Sequence, residues 1–153
     1  MGLVSARGDA VRGRVLVRGA AEGPLLRLAG PISFWGGVDP VTGVVSDPRH
    51  PDHGRTISGT VLALPGAVGS SSSSAVMLEL IRNGRAPAAV LLARADAILA
   101  LGVIVARELG RPTLPVLELP LEALDGFAQG MTLRVGVDGT VAHAGADAAP
   151  AGS

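Results

Sequence analysis

The stretch best equipped for chemistry is Leu64–Gly84, LPGAVGSSSSSAVMLELIRNG, in which Gly69 leads five consecutive serines, Ser70–Ser74. The first N–H groups of an α-helix lack internal partners, and the helix dipole adds partial positive charge beside them. Serine is a favoured N-cap, and a flanking glycine lets a carboxylate or phosphate approach the backbone closely. A hydroxyl on such a turn points at the bound group and, deprotonated by those surroundings, can act as a base or proton relay. The same residues also suit an ordinary capped helix start with solvent-facing serines. A linker is the third reading, and the residues downstream argue against it. Val76, Met77, Leu80 and Ile81 fall at helical spacing, and Gly84 makes a C′ stop.

A second candidate lies in the proline- and glycine-rich segment 31–55, PISFWGGVDPVTGVVSDPRHPDHGR. It shows no periodicity, and a loop that long is usually functional or disordered. Phe34-Trp35-Gly36-Gly37 sets two rings beside two permissive glycines, and Asp39 precedes Pro40. Such rings form a pocket wall or a protein interface, or else pack beneath the loop. His50 and His53, with Asp47 and Asp52, superficially suggest a metal site. Prolines at 48 and 51, the lack of cysteine and the distance to His143 in the tail make them solvated turn residues instead, and no metal ligand is expected in this chain. With every histidine in a loop or the tail, no Ser–His–Asp triad can be assembled. Glu79, Arg82, Asp96 and Glu108 read as helix caps and surface pairs.

The chain's bulk properties narrow the partners. Its 153 residues suit one domain, and a 48% hydrophobic, 17% charged composition argues against general disorder. Thirteen basic and thirteen acidic side chains cancel, so no net field draws nucleic acid or an anionic membrane. The apolar runs break well before the roughly 18 residues of a membrane span, and the first residues lack a secretory pattern. A soluble cytoplasmic protein is expected. Without cysteine there is no thiolate ligand or nucleophile.

The elements that must hold these candidates can be read from pattern. Residues 13–19 (GRVLVRG) form a strand that pairs with 24–30 through a turn at 20–23. Residues 56–66 run as a strand into the core, 86–94 as a buried strand and 114–119 as a short one. A second helix spans 95–110, starting near Asp96, where Gly102 implies a close packing contact. A helical turn falls within 120–130, and 131–145 is a hairpin about Asp138-Gly139. The order, two strands, a long loop, β-α-β-α-β and a hairpin, indicates a mixed α/β domain over residues 1–145 with a frayed tail at 146–153.

Three blocks of this chain, PISFWGGVDPVTGVVSD with its following HP, LPGAVGSSSSSAVMLELIRNGRAPAAVLL and AILALGVIVARELGRPTLPV, together resemble the small subunit of aconitase X. The match covers about residues 12–120. The resemblance implies a swivelling β/β/α fold like the C-terminal domain of aconitase, and a dehydratase acting on cis-3-hydroxy-L-proline or mevalonate 5-phosphate. It implies a large-subunit partner that carries an iron or iron–sulfur centre, with no cofactor in this chain. By that resemblance Ser70 removes the substrate proton. Gly69, Ser71 and Ser72, with Phe34, Trp35, Gly36, Gly37 and Asp39, form the substrate side of the site, the substrate being a small hydroxy acid. The SFWGG form and the polyserine turn are more similar to the hydroxyproline branch. Family members often carry a basic residue just before the Gly-Ser pair, where this chain has Val68. A mevalonate 5-phosphate dehydratase subunit, or a non-catalytic binding or regulatory domain of the same fold, are the alternatives.

Overall fold

The computed structural model describes residues 9–65 and 72–145. The strands are β1 (Val11–Arg12), β2 (Arg14–Val17), β3 (Ala21–Arg27), β4 (Val61–Leu64), β5 (Ala89–Leu92), β6 (Val116–Glu118), β7 (Thr132–Val135) and β8 (Thr140–His143). The helices are a kinked turn α1 (Phe34–Gly37), α2 (Ser72–Arg82) and α3 (Ala97–Glu108), with a 3-10 turn at Leu121–Leu124. The order across the sheet is β1-β8-β7-β3-β4-β5-β6-β2. Its two ends, β1 and β2, belong to one run of chain broken only at Gly13. The sheet therefore closes on itself into a small barrel.

Closure creates two cores. Alternate residues of the parallel strands β3 to β6 point inward, and Leu25, Val61, Ala63, Ala89, Leu91 and Leu117 pack there with Leu133, Val135 and Val141. Leu124 and Phe127, from the segment linking β6 to β7, join that inner cluster. The other face presents Leu26, Leu62, Leu64, Val90, Leu92 and Val116 to α2, α3 and the long loop. A strand buried on both faces has no polar alternation, which is why β4 (VLAL) and β5 (AVLL) are apolar throughout.

Helix α3 starts as its sequence expects: Asp96 Oδ1 accepts the N–H groups of Ile98 and Leu99, each at 3.0 Å. Gly84 ends α2 with φ +70, and Gly139 turns the last hairpin with φ +89. The pairing expected between 13–19 and 24–30 does not form. Residues 21–27 are all strand; β3 pairs with β4 in parallel and β7 antiparallel, while β2 pairs with β6. Instead of turning at 20–23 the chain runs on into β3, where Ala21–Pro24 pair with β7, after passing close beside Pro115 at Gly19, where an added Cβ would stand 3.2 Å from Pro115 Cδ. Strand 56–66 shortens to β4, because residues 57–60 make a turn through Gly59, φ +72. No described helix is long and apolar enough to cross a membrane. The proposed tail 146–153 lies outside the described residues.

Two contacts set the position of α2 and α3. At Gly102 the helices touch so closely that an added Cβ would stand 2.5 Å from the Ser74 carbonyl oxygen and 3.1 Å from Met77 Cβ. At the start of α3, Glu118 accepts the Ala95 N–H at 2.9 Å with one oxygen and Arg14 at 2.8 Å with the other. The Arg14 hydrogen bond first, and the Ala95 N–H second, hold the Glu118 carboxyl below its ordinary range.

Gly102→Ala gains about 1 kcal/mol of helix propensity but must force the helices apart, which costs about 1–3 kcal/mol. It is expected to lower the urea midpoint, and a more stable alanine variant would contradict the contact. Because the folded Glu118 carboxyl titrates below the ordinary value of 4.5, its contribution is complete above that pH and is lost as pH falls through the lower folded value. The stability gap between wild type and Glu118→Gln should therefore be widest at neutral pH and narrow on acidification below 4.5. Urea melts across pH 3–7 check this, and a gap that stays constant to pH 3 would refute it.

Candidate functional site

The parallel strands bring their carboxyl ends to one edge, aligned by the pairs Arg27↔Ala63, Leu64↔Leu92 and Leu92↔Glu118. Connections leaving that edge are where α/β sheets bind ligands. Residues 28–30 leave after β3, the serine segment after β4, and residues 93–96 after β5. Gly69, Ser70 and Ser71, with Val68, lie outside the described residues. Their flanks are fixed, since Pro65 ends β4 and Ser72 opens α2. The segment therefore joins the carboxyl end of a buried strand to a helix start. Ser73 is only 3% exposed, so the serines are not uniformly solvent-facing. Val76, Met77, Leu80 and Ile81 point into the helix-side core, as their spacing requires.

The Phe-Trp pair is split. Phe34 is 0% exposed and belongs to the core, whereas Trp35 is 68% exposed. Gly36, at φ +79, adopts a conformation that L side chains rarely take and turns the chain between the two environments. Gly37 is buried against the Ile32 side chain. Trp35, Gly36 and Asp39 meet Val38, Pro40, Ser46 and Val76 of α2 around a cleft of about 380 Å³. Phe34 and Gly37 support this cleft from beneath without lining it. The Asp39 side chain accepts the Val41 N–H at 2.9 Å, and its carbonyl accepts the Gly43 N–H at 2.7 Å, so it shapes the turn. Asn83 Nδ2 donates to Pro40 O at 2.8 Å and fastens the same turn to the end of α2.

The rest of segment 31–55 is ordered. Antiparallel bridges join Val38 to Val45 and Val44 to Thr56. Of the four residues expected to be solvated, His50 and Asp52 are the exceptions, with side chains 6% and 10% exposed. Asp52 accepts the Ala29 N–H at 2.8 Å and pairs with Arg55 at 3.4 Å. The Asp52 N–H donates to His50 Nδ1 at 3.0 Å, so Nε2 carries the ring proton and donates to Gly30 O at 3.2 Å. The loop is thus clasped to the chain leaving β3, because buried polar groups must find partners. His53 is exposed, and Asp47 serves its own turn: it accepts the Arg49 N–H, which lowers its pKa.

A second cleft of about 460 Å³ opens beside Pro65, lined by Arg27, Leu28, Ala29, Leu121, Phe127 and Gln129 among others. Sequence reasoning missed Arg27 and Gln129. Gln129 imitates a peptide group: its Oε1 accepts the Arg27 N–H at 2.7 Å and its Nε2 donates to Arg27 O at 3.2 Å. Arg27 in turn pairs with Asp125 at 2.8 Å. No local pattern announces partners this far apart along the chain. Among the described residues no three His, Asp or Glu side chains converge to hold a metal ion.

Comparison with known proteins accounts for this geometry. The family model for the aconitase X swivel domain matches residues 10–143. The cis-3-hydroxy-L-proline dehydratase of Pseudomonas aeruginosa is 54% identical over 103 residues, 67% of this chain, but the match spans only 18% of that enzyme's length. The phosphomevalonate dehydratase small subunit of Methanothermobacter thermautotrophicus is 42% identical over 125 residues, 82% of this chain and 90% of that one. The crystal structure of Thermococcus kodakaraensis aconitase X, in its holo form, superposes with a TM-score of 0.77 at 34% identity over 88% of this chain and 98% of that one. The barrel with its helical layer is the swivelling β/β/α fold, and the chain belongs to the aconitase X swivel-domain family.

Proposed function

We propose that the chain is the small, cytoplasmic subunit of an aconitase X-type hydro-lyase that dehydrates cis-3-hydroxy-L-proline to Δ1-pyrroline-2-carboxylate. The observation that carries this reading is the place of the Gly69–Ser72 segment. It runs from the carboxyl end of β4 to the start of α2, with Pro65 on one cleft and Val76 on the other. The 54% identity to the Pseudomonas dehydratase supports the choice of substrate.

In this mechanism Ser70 Oγ, as alkoxide or hydroxyl relay, takes the Cα proton of the hydroxy acid. The C–H electron pair becomes the new double bond as the β-hydroxyl leaves, the proton taken up by Ser70 completing the departing water, and the enamine then tautomerises to the cyclic imine. N–H groups at the start of α2, with Gly69, Ser71 and Ser72, hold the carboxylate against the charge that develops beside it. Trp35, Gly36 and Asp39 wall the substrate on the loop side, over Phe34 and Gly37. The iron or iron–sulfur centre of the resemblance does not fit this chain. It has no cysteine, and its described carboxylates and imidazoles do not converge. The centre is assigned to a large subunit.

The complex with that subunit should convert cis-3-hydroxy-L-proline, and the chain alone should not. Ser70→Ala should lower kcat by about 10²–10⁴-fold, the usual worth of a positioned base. Wild-type turnover in that variant would remove Ser70 from the mechanism. Trp35→Ala should raise KM with little change in thermal stability, because the ring is largely exposed. The second reading, mevalonate 5-phosphate as substrate, is favoured by the match to the Methanothermobacter subunit. Turnover of that compound in preference to hydroxyproline would establish it. A complex that turns over neither, or a chain that binds no large subunit, would favour a non-catalytic domain.

A further inference from the structure

Helix α3 is apolar on both faces. Leu99, Ala100, Val103 and Ala106 are buried in the helix-side core, and Gly102 seats the helix against α2. On the outer face Ile98, Leu101, Val105 and Leu109 are 36–64% exposed. Their spacing of three or four residues sets them in a single stripe. These four are half of the eight large hydrophobic side chains exposed among the described residues. Apolar residues scattered singly over a surface need no explanation, but a continuous stripe marks a contact face.

Opposite charges close the two ends of the stripe. Arg94 lies two residues before the Asp96 cap, and Glu108 is the last residue of the helix. Both are exposed, and among the described residues neither side chain has an ion-pair or hydrogen-bond partner. The row Arg94, Ile98, Leu101, Val105, Glu108 therefore runs from a cation through three apolar side chains to an anion. Turned end for end, the same row is its own complement. On a second copy laid antiparallel, Arg94 faces Glu108 at each end and Ile98 faces Val105. Leu101 then meets Leu101 on the two-fold axis, as an isologous interface requires. A parallel arrangement would oppose like charges at both ends, so the charges select the antiparallel one.

We propose that the outer face of α3 is a self-docking surface, through which two copies of this chain associate about a two-fold axis at Leu101. The face is preformed, since the Asp96 cap and the Gly102 contact already fix the helix on the barrel, so little ordering is needed on association. A twelve-residue helix is about 18 Å long. One such contact falls short of the roughly 1,200 Å² buried by stable complexes, so the dimer forms at high concentration and dissociates on dilution. This association is independent of the dehydratase reading.

The test is sedimentation of the full chain from about 5 µM to about 500 µM, the range over which a small, transient interface titrates. Wild type should pass from monomer to dimer. Leu101→Glu should raise the dimer Kd at least about tenfold with an unchanged thermal midpoint, because the side chain is half-exposed. Arg94→Glu and Glu108→Arg should each weaken association about two- to tenfold, since exposed pairs are individually weak and the symmetric dimer holds two. Combining the two reversals should restore it. Because the chain has no cysteine, Leu101→Cys should cross-link on mild oxidation, whereas a cysteine at exposed Val137 should not. A wild-type chain that stays monomeric, a Leu101→Glu variant that still dimerises, reversals that fail to compensate, or equal cross-linking at the two positions would overturn the proposal. A monomeric chain whose Leu101→Glu variant loses a large subunit would overturn it too, by giving the face to that subunit.

Discussion

Everything in this structure depends on one seven-residue run, Val11–Val17, pairing with both ends of the sheet. Its first two residues pair with β8, and Arg14, Val15 and Val17 pair with β6 across a register shift at Leu16. The joint is Gly13, whose N–H donates to Gly139 O at 2.9 Å. Space there is tight on both sides. A Cβ on Gly13 would lie 3.0 Å from Glu118 O, and one on Gly139 would lie 2.5 Å from Gly13 O. Two glycines face to face let the backbones approach closely enough for the ring to close. Closure gives the parallel strands an inner core as well as an outer one. It also holds their carboxyl ends rigid, and every residue of the candidate site leaves from those ends. A barrel has no open sheet edge to offer a partner strand.

Local order was legible in the sequence; pairing was not. Helices α2 and α3 and the hairpin about Asp138-Gly139 stood out because 3.6-residue spacing, Asp96 and the turn glycines are all local signals. Gly102 stood out as an anomaly in an apolar helix, and its contact with Ser74 explains it. The misreading of 13–19 and 24–30 as a hairpin shows the limit. Neighbours in sequence usually pair, and only the closure of the sheet sends these two to different partners. Segment 31–55 lacked periodicity because isolated bridges and side-chain clasps hold it, and neither leaves a repeating pattern.

The strand and the helix that flank the serine segment were legible, the first from its apolar run and the second from its 3.6-residue spacing. The SFWGG loop stood out in the sequence, but its kink at Trp35 and Gly36, with Phe34 buried and Trp35 exposed, did not. Arg27 and Gln129 escaped notice, and His50 and Asp52 were expected to be solvated, since their partners lie 20 to 102 residues away.

The split at Gly36 has a practical consequence. Trp35 is the chain's single tryptophan, and there is no tyrosine. All indole emission from this chain therefore originates at the mouth of one cleft, held in place by the buried Phe34 beside it. The domain carries a built-in fluorophore at the rim of that cleft. Its indole emission reads out that one location, whereas Phe34 and Phe127 of the two cores lie outside the indole band.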